Sequence, residues 1–140
     1  MNWVTWDNVG VDRMACAWLI RKRIDPAARF RFIARGAELP LDAEPFDIPG
    51  VRLSHHQGHC SFHAFLREYE IVDGVLDRIA RIVDEADTVQ EVQLEPAAPG
   101  LDLICEGIRL TSPDDAAALV RGAMLYDALY AKLAKEANAP

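Results

Sequence analysis

Residues 54–63 of this chain gather the side chains that are best suited to chemistry. All four histidines of the protein lie within these ten residues, at His55, His56, His59 and His63. One of the three cysteines, Cys60, lies among them. Imidazole and thiolate are common ligands of transition metals, and histidine also titrates near neutral pH. The cluster therefore predicts a metal site or a catalytic site.

The spacing of the histidines limits which of them can share a ligand. A helix predicted to begin at about Ser61 would place His63 in its first turn and His59 just before it, so both could reach one point. His55 and His56 are adjacent at the end of a predicted strand, where neighbouring side chains point to opposite faces. We therefore expect only one of these two to join the site. The alternative is an exposed polar turn in which the histidines bind no metal.

Asp84 and Asp87 are the carboxylates best placed to complete such a site. Residues 73–87 form the clearest amphipathic helix of the sequence, with Asp87 inside its apolar stripe and Asp84 at the edge. Residues three apart are neighbours on a helix, and carboxylates beside an apolar core need a cation, a metal or hydrogen-bond donors. An arginine such as Arg13 or Arg78 could pair with them. The other interpretation is a metal that they share with the histidines.

Charge and composition exclude several classes of function. The net charge is −7 and the pI is about 5.0, which disfavours binding to phosphate backbones or to anionic membranes. No apolar run approaches the roughly 20 residues that span a bilayer, and the first residues do not have the pattern of a secretory signal. Three cysteines that are far apart do not suggest a disulfide framework. We expect a cytoplasmic protein that binds neither nucleic acid nor membranes.

The pattern of apolar residues predicts an α+β fold in one domain, residues 1–140. At 51% hydrophobic residues, a chain of this length can bury a sizeable core. The expected fold is mostly helical, with four to five helices and a small sheet of short strands. Helices are predicted over residues 12–24, 62–70, 73–87, 101–110 and 112–135, and strands over 3–6, 29–33, 46–48 and 51–53. Asp12 is expected to cap the first helix and is a second-choice site residue.

The opening run of residues 12–21, DRMACAWLIR, followed by Ile24-Asp25-Pro26, is the most specific motif of the sequence. In this motif the chain resembles the C-terminal domain of the chromate-resistance protein ChrB. Further matches follow in order along the chain, at Phe46-Asp47, His55 to Phe62, residues 79–83, Pro99-Gly100, Gly107-Ile108 and residues 126–130. The resemblance implies a bacterial protein that takes part in the stress response to chromate. Larger members are chromate-responsive regulators with an additional N-terminal region, so we expect no DNA binding by this chain.

Two departures from the family pattern concern candidate ligands. The position of His63 is usually acidic in the family, and the position of Asp84 is usually histidine. This chain exchanges the two types. If both positions bind the same metal, such an exchange keeps the set of ligands intact. The resemblance therefore predicts that His63 and Asp84 share a metal.

Together these observations predict a metal-binding domain of chromate resistance, with a divalent transition metal held by histidine and aspartate. Histidine and aspartate ligands suit zinc, iron, manganese or nickel and do not distinguish among these metals. The candidate ligands are His55, His56, His63, Asp84 and Asp87. Chromate or another small molecule is a further expected partner. The alternatives are a hydrolytic or redox metalloenzyme with an open coordination position, and an interaction module without a metal site.

Overall fold

The computed structural model describes residues 1–139, and over that range it contains five α-helices and one three-stranded sheet. The helices and the sheet share one hydrophobic core, which confirms the predicted α+β fold. A π-helical segment, Ile20–Ile24, continues the first helix. The elements in chain order are β1 (Asn2–Trp6), α1 (Val11–Leu19), β2 (Arg29–Ile33), β3 (Glu44–Pro45), α2 (Ser61–Glu68), α3 (Gly74–Asp87), α4 (Ala98–Thr111) and α5 (Asp115–Ala137).

The sheet is parallel, with β1 in the centre between β2 and β3. Parallel neighbours require a crossover connection, and α1 provides it between β1 and β2. Trp6, the last residue of β1, pairs with Ile33, the last residue of β2. The segments that follow the two strands, including Arg35, therefore leave the sheet at the same edge.

Helix α1 is the centre of the fold. Every residue of α1 except Arg13 is buried, and the helix contacts each of the other four helices. A helix that is apolar on all sides is stable only when protein surrounds it. Its N-cap is Gly10, so the predicted cap, Asp12, lies inside the first turn and is only 2% exposed. Among residues 1–139, no helix is both long enough and apolar enough to cross a membrane.

The remaining elements differ from the predictions mainly at their ends. The helix predicted over residues 73–87 begins at Gly74, and Asp73 is its cap, since the Asp73 carboxylate accepts the N–H groups of Val75 and Leu76. Helix α4 continues through Gly107, because one glycine costs a helix only about 1 kcal/mol. The two short strands predicted over residues 46–53 reduce to a single bridge between Phe46 and Leu53.

Candidate metal centre

The amino terminus of α2 is held by two aspartates from other helices. Asp12 of α1 accepts the N–H of Ser61 at 2.7 Å and the N–H of Phe62 at 3.0 Å. Asp84 of α3 accepts the N–H of Cys60 at 2.7 Å. The first N–H groups of a helix lack partners within it, and its positive end favours carboxylates. The helix begins at Ser61 as predicted, and the carboxylate that accepts its first N–H groups comes from α1.

His55 faces Asp12 and a further carboxylate, Asp87. His55 Nε2 lies 3.1 Å from Asp12 Oδ2 and 3.1 Å from Asp87 Oδ2. One ligand atom from each of these three residues, hereafter the His55 group, lies within 4.8 Å of the other two. Neighbouring ligands of an octahedral metal with bonds of about 2.1 Å are about 3.0 Å apart. The spacing therefore suits a metal, and within residues 1–139 no other set of three such side chains is as close.

Carboxylates outnumber the positively charged side chains around His55. A third carboxylate, Asp47, lies 3.7 Å from His55 Nε2 and pairs with Arg13 Nε at 3.0 Å. Burial, followed by repulsion from Asp12, raises the pKa of Asp47 to about 7. Hydrogen bonding to Asp12, and then to Asp87, raises the pKa of His55 to about 10. Without another cation, His55 therefore carries a proton at neutral pH, and a metal must displace that proton.

A tight turn separates His55 from the other histidines. The backbone groups of His56 and His59 pair with each other, and the two residues between them have φ values of 52° and 81°. Left-handed backbone at both central positions is typical of a type I′ turn. The His56 ring is hydrogen-bonded through Nε2 to the carbonyl oxygen of Arg52 at 2.8 Å. This part of the cluster is thus the polar turn that the sequence offered as an alternative.

A second cluster forms on the other side of the turn. His59 Nδ1 lies 2.8 Å from Asp84 Oδ2, and the His63 ring stacks on the His59 ring with centroids 4.3 Å apart. Burial, and then the neighbouring His59, lower the pKa of His63. Both oxygens of Asp84 have partners, because the second accepts the N–H of Cys60. That His63 and Asp84 share a metal stays a prediction.

Of the candidate ligands, the structure brings His55 and Asp87 together and adds Asp12. Three candidates lie outside the His55 group, namely His56, His63 and Asp84. The signal for Asp12 in the sequence is a carboxylate inside a helix that is otherwise apolar on nearly all sides, which requires a buried partner. Arg13 and Arg78, the arginines considered as partners for the α3 aspartates, pair with other carboxylates.

The cysteines are core residues. Cys16, Cys60 and Cys105 are free and buried. Burial is the largest cause that raises the pKa of the Cys60 thiol, which therefore stays protonated at neutral pH. Since the thiolate is the form that binds metals and attacks electrophiles, Cys60 is poorly suited to either role.

A cavity of about 600 Å³ opens beside the His55 group. His55 and Asp87 line it, so a metal held by this group would face the cavity on one side. The edge of the sheet contributes Trp6 and Arg35 to the wall, and α4 contributes Arg109. Geometrically, the site combines three candidate protein ligands with room for a further one.

Comparisons with known proteins identify the family. The family described as "ChrB, C-terminal domain" matches residues 3–133. The chain is also 33% identical, over 130 residues, to Protein ChrB of Cupriavidus metallidurans. That alignment covers 92% of this chain but only 40% of the relative. The comparison with solved structures gave no significant match. The chain therefore belongs to the ChrB C-terminal domain family.

Proposed function

We propose that this protein is a metal-binding domain whose divalent transition metal is held by Asp12, His55 and Asp87. The observation that carries the proposal is that one imidazole nitrogen lies 3.1 Å from oxygens of two different carboxylates. A single ring N–H can make only one good hydrogen bond, whereas a metal can accept all three donors at once. The donor set suits zinc, iron, manganese or nickel.

The rigidity of the ligands adds support to the proposal. Asp12 is buried and already fixed by two backbone N–H groups of α2, and Asp87 lies at the last turn of α3. Ligands on regular helices are held in place before the metal arrives, and hydrogen bonds to a ligating carboxylate fix its orientation. Family membership gives this site its context, which is resistance to chromate.

A second candidate function is a metalloenzyme, and the cavity beside the His55 group is the observation that favours it. Three protein ligands leave coordination positions for water or a substrate, which is the arrangement of catalytic metal sites. A structural or sensing site requires no such room. Metal-dependent hydrolysis of a phosphate or carboxylate ester, lost in the Asp87→Asn variant, would favour the enzyme over the sensor.

The decisive experiment is the metal content of untagged protein, followed by melting of metal-free and metal-loaded samples. A free metal concentration of about 100 times the dissociation constant stabilises the native state by about 2.7 kcal/mol. For a chain of 140 residues this raises the melting temperature by roughly 10 °C. His55→Ala and Asp87→Ala should abolish both the bound metal and the shift.

His56→Ala is the matched control, because it removes the adjacent histidine, whose ring contacts a backbone carbonyl and no carboxylate. It should keep the metal and the thermal shift. Equal melting of metal-free and metal-loaded wild type, with no metal detected, would refute the proposal. Equal loss of metal from His55→Ala and His56→Ala would refute the assignment of ligands.

A further inference from the structure

Two arginines on the cavity wall have no acidic partner. Of the three arginines that line the cavity, Arg13 is paired with Asp47. Within residues 1–139, Arg35 and Arg109 take part in no ion pair. The guanidinium carbon of Arg35 lies 5.1 Å from the ring centroid of Trp6, and the indole also lines the cavity.

The side chains that line the cavity come from several separate elements of the fold. Arg35 follows β2, Trp6 ends β1 and Arg109 lies on α4. The His55 group joins α1, α3 and the loop that precedes α2. Stacking on an indole limits the freedom of a guanidinium, so less entropy is lost when it binds an anion. The Trp6 Nε1–H is buried and has no hydrogen-bond partner within the described chain. The wall thus combines positive charge with an aromatic side chain.

The charge of the wall favours an anion once a metal is present. Asp47 is neutralised by Arg13, and Asp87 would be a ligand of the metal. Asp7 is then the one uncommitted carboxylate among the residues that line the cavity, against the two free guanidinium groups, while Asp12 and Asp87 would balance the charge of a divalent cation. Guanidinium groups and metal ions both favour carboxylate or phosphate oxygens as partners.

The volume of the cavity favours a small organic anion over a simple inorganic one. Pockets for small organic ligands are typically about 300–1,000 Å³ in volume, and this cavity is about 600 Å³. A bare tetrahedral oxyanion would fill only a small part of it. A larger molecule with an oxygen-rich group at each end would occupy more of the volume and would offer one group to the arginines and one to the metal.

We propose that the cavity binds a small organic anion, with one carboxylate or phosphate on Arg35 and Arg109 and an oxygen of the other end on the metal. This proposal rests on the proposed metal site and adds the class of ligand that the site takes. The occupant is a metabolite-sized molecule with two oxygen-rich ends, and Trp6 contacts its body.

The test uses the zinc-loaded chain of 140 residues and isothermal titration calorimetry. Glutarate and 3-phosphoglycerate are the probes, pentane-1,5-diol is the neutral counterpart of glutarate, and sulfate is the bare oxyanion. Glutarate or 3-phosphoglycerate should bind, while the diol should not, and sulfate should bind at least about tenfold more weakly. Arg35→Gln and Arg109→Gln should each weaken binding about tenfold or more, since each removes a charge-assisted hydrogen bond. Both variants should keep their zinc.

Arg81→Gln is the matched control, because Arg81 is an exposed arginine of α3 that does not line the cavity. It should bind the probes as wild type does. The proposal fails if neither organic probe binds zinc-loaded protein, if sulfate binds as tightly as both, or if the two cavity arginines can be replaced without effect. Wild-type protein that holds no metal overturns the proposed function and this inference with it. Protein that holds metal but no organic anion overturns this inference alone.

Discussion

Asp12 has two roles that mutation can separate. Its carboxylate caps α2 from another helix through the N–H groups of Ser61 and Phe62, and it also faces His55. Asp12→Ala leaves both N–H groups buried without an acceptor. A hydrogen bond to a charged group contributes about 1.5–3 kcal/mol, so the loss of two should lower the free energy of unfolding by about 3–6 kcal/mol.

The control is Asp87→Ala, which removes the other carboxylate next to His55 but caps no helix. Asp87 is exposed, so in the presence of a chelator the loss of its ion pair with His55 should cost no more than about 1 kcal/mol. Asp12→Asn keeps one oxygen that can accept a single N–H and should lose about half as much as Asp12→Ala. This milder variant keeps the test informative if the alanine variant does not fold.

Urea unfolding of the four proteins, followed by circular dichroism with chelator present, measures these differences. Metal binding is measured separately on folded samples, and both Asp12→Asn and Asp87→Ala should lose it. The reasoning is refuted if Asp12→Ala unfolds within about 0.5 kcal/mol of Asp87→Ala. In that case the contacts of Asp12 with the start of α2 would have no energetic significance.

Two further predictions concern residues outside the His55 group. Asp73 caps α3 and accepts a hydrogen bond from the Tyr130 hydroxyl. Burial raises the pKa of Asp73, but hydrogen bonds from Tyr130, Arg23 and the backbone lower it overall. Asp73→Ala should lower the free energy of unfolding by about 1 kcal/mol at neutral pH. A carboxyl with a lowered pKa stabilises the native state only while it is ionised, so the difference from wild type should vanish as the pH falls below the usual pKa of 3.8 and through the lowered pKa of Asp73. Acid unfolding of both proteins checks this, and a difference that persists at pH 2 would contradict it. His63→Ala should leave the metal content unchanged, since His63 lies outside the His55 group; loss of metal would instead support the site shared with Asp84.

Local patterns predicted most of the elements correctly. The apolar stripe of residues 73–87 and the unbroken apolar run that begins near Asp12 became α3 and α1, because each pattern matches the helical period over several turns. The segment of residues 46–53 was mispredicted as two strands. Phe46, Ile48 and Leu53 are buried, but only Phe46 and Leu53 form a bridge. Burial can be read from residue type, whereas strand pairing depends on which neighbours are available.

The sequence by itself determined the class of fold, the order of the helices and the stretch that carries the histidines, because each of these depends on residues close together in the chain. It also identified two of the three residues of the His55 group, His55 and Asp87. Tertiary structure decided the rest. Asp12 lies 43 residues from His55 in the chain, and it reaches that ring only because α1 packs against the start of α2. The turn after His56 likewise directs the remaining histidines to another cluster. Ligand geometry depends on where helix ends meet, and the spacing of residues along the chain does not specify that position.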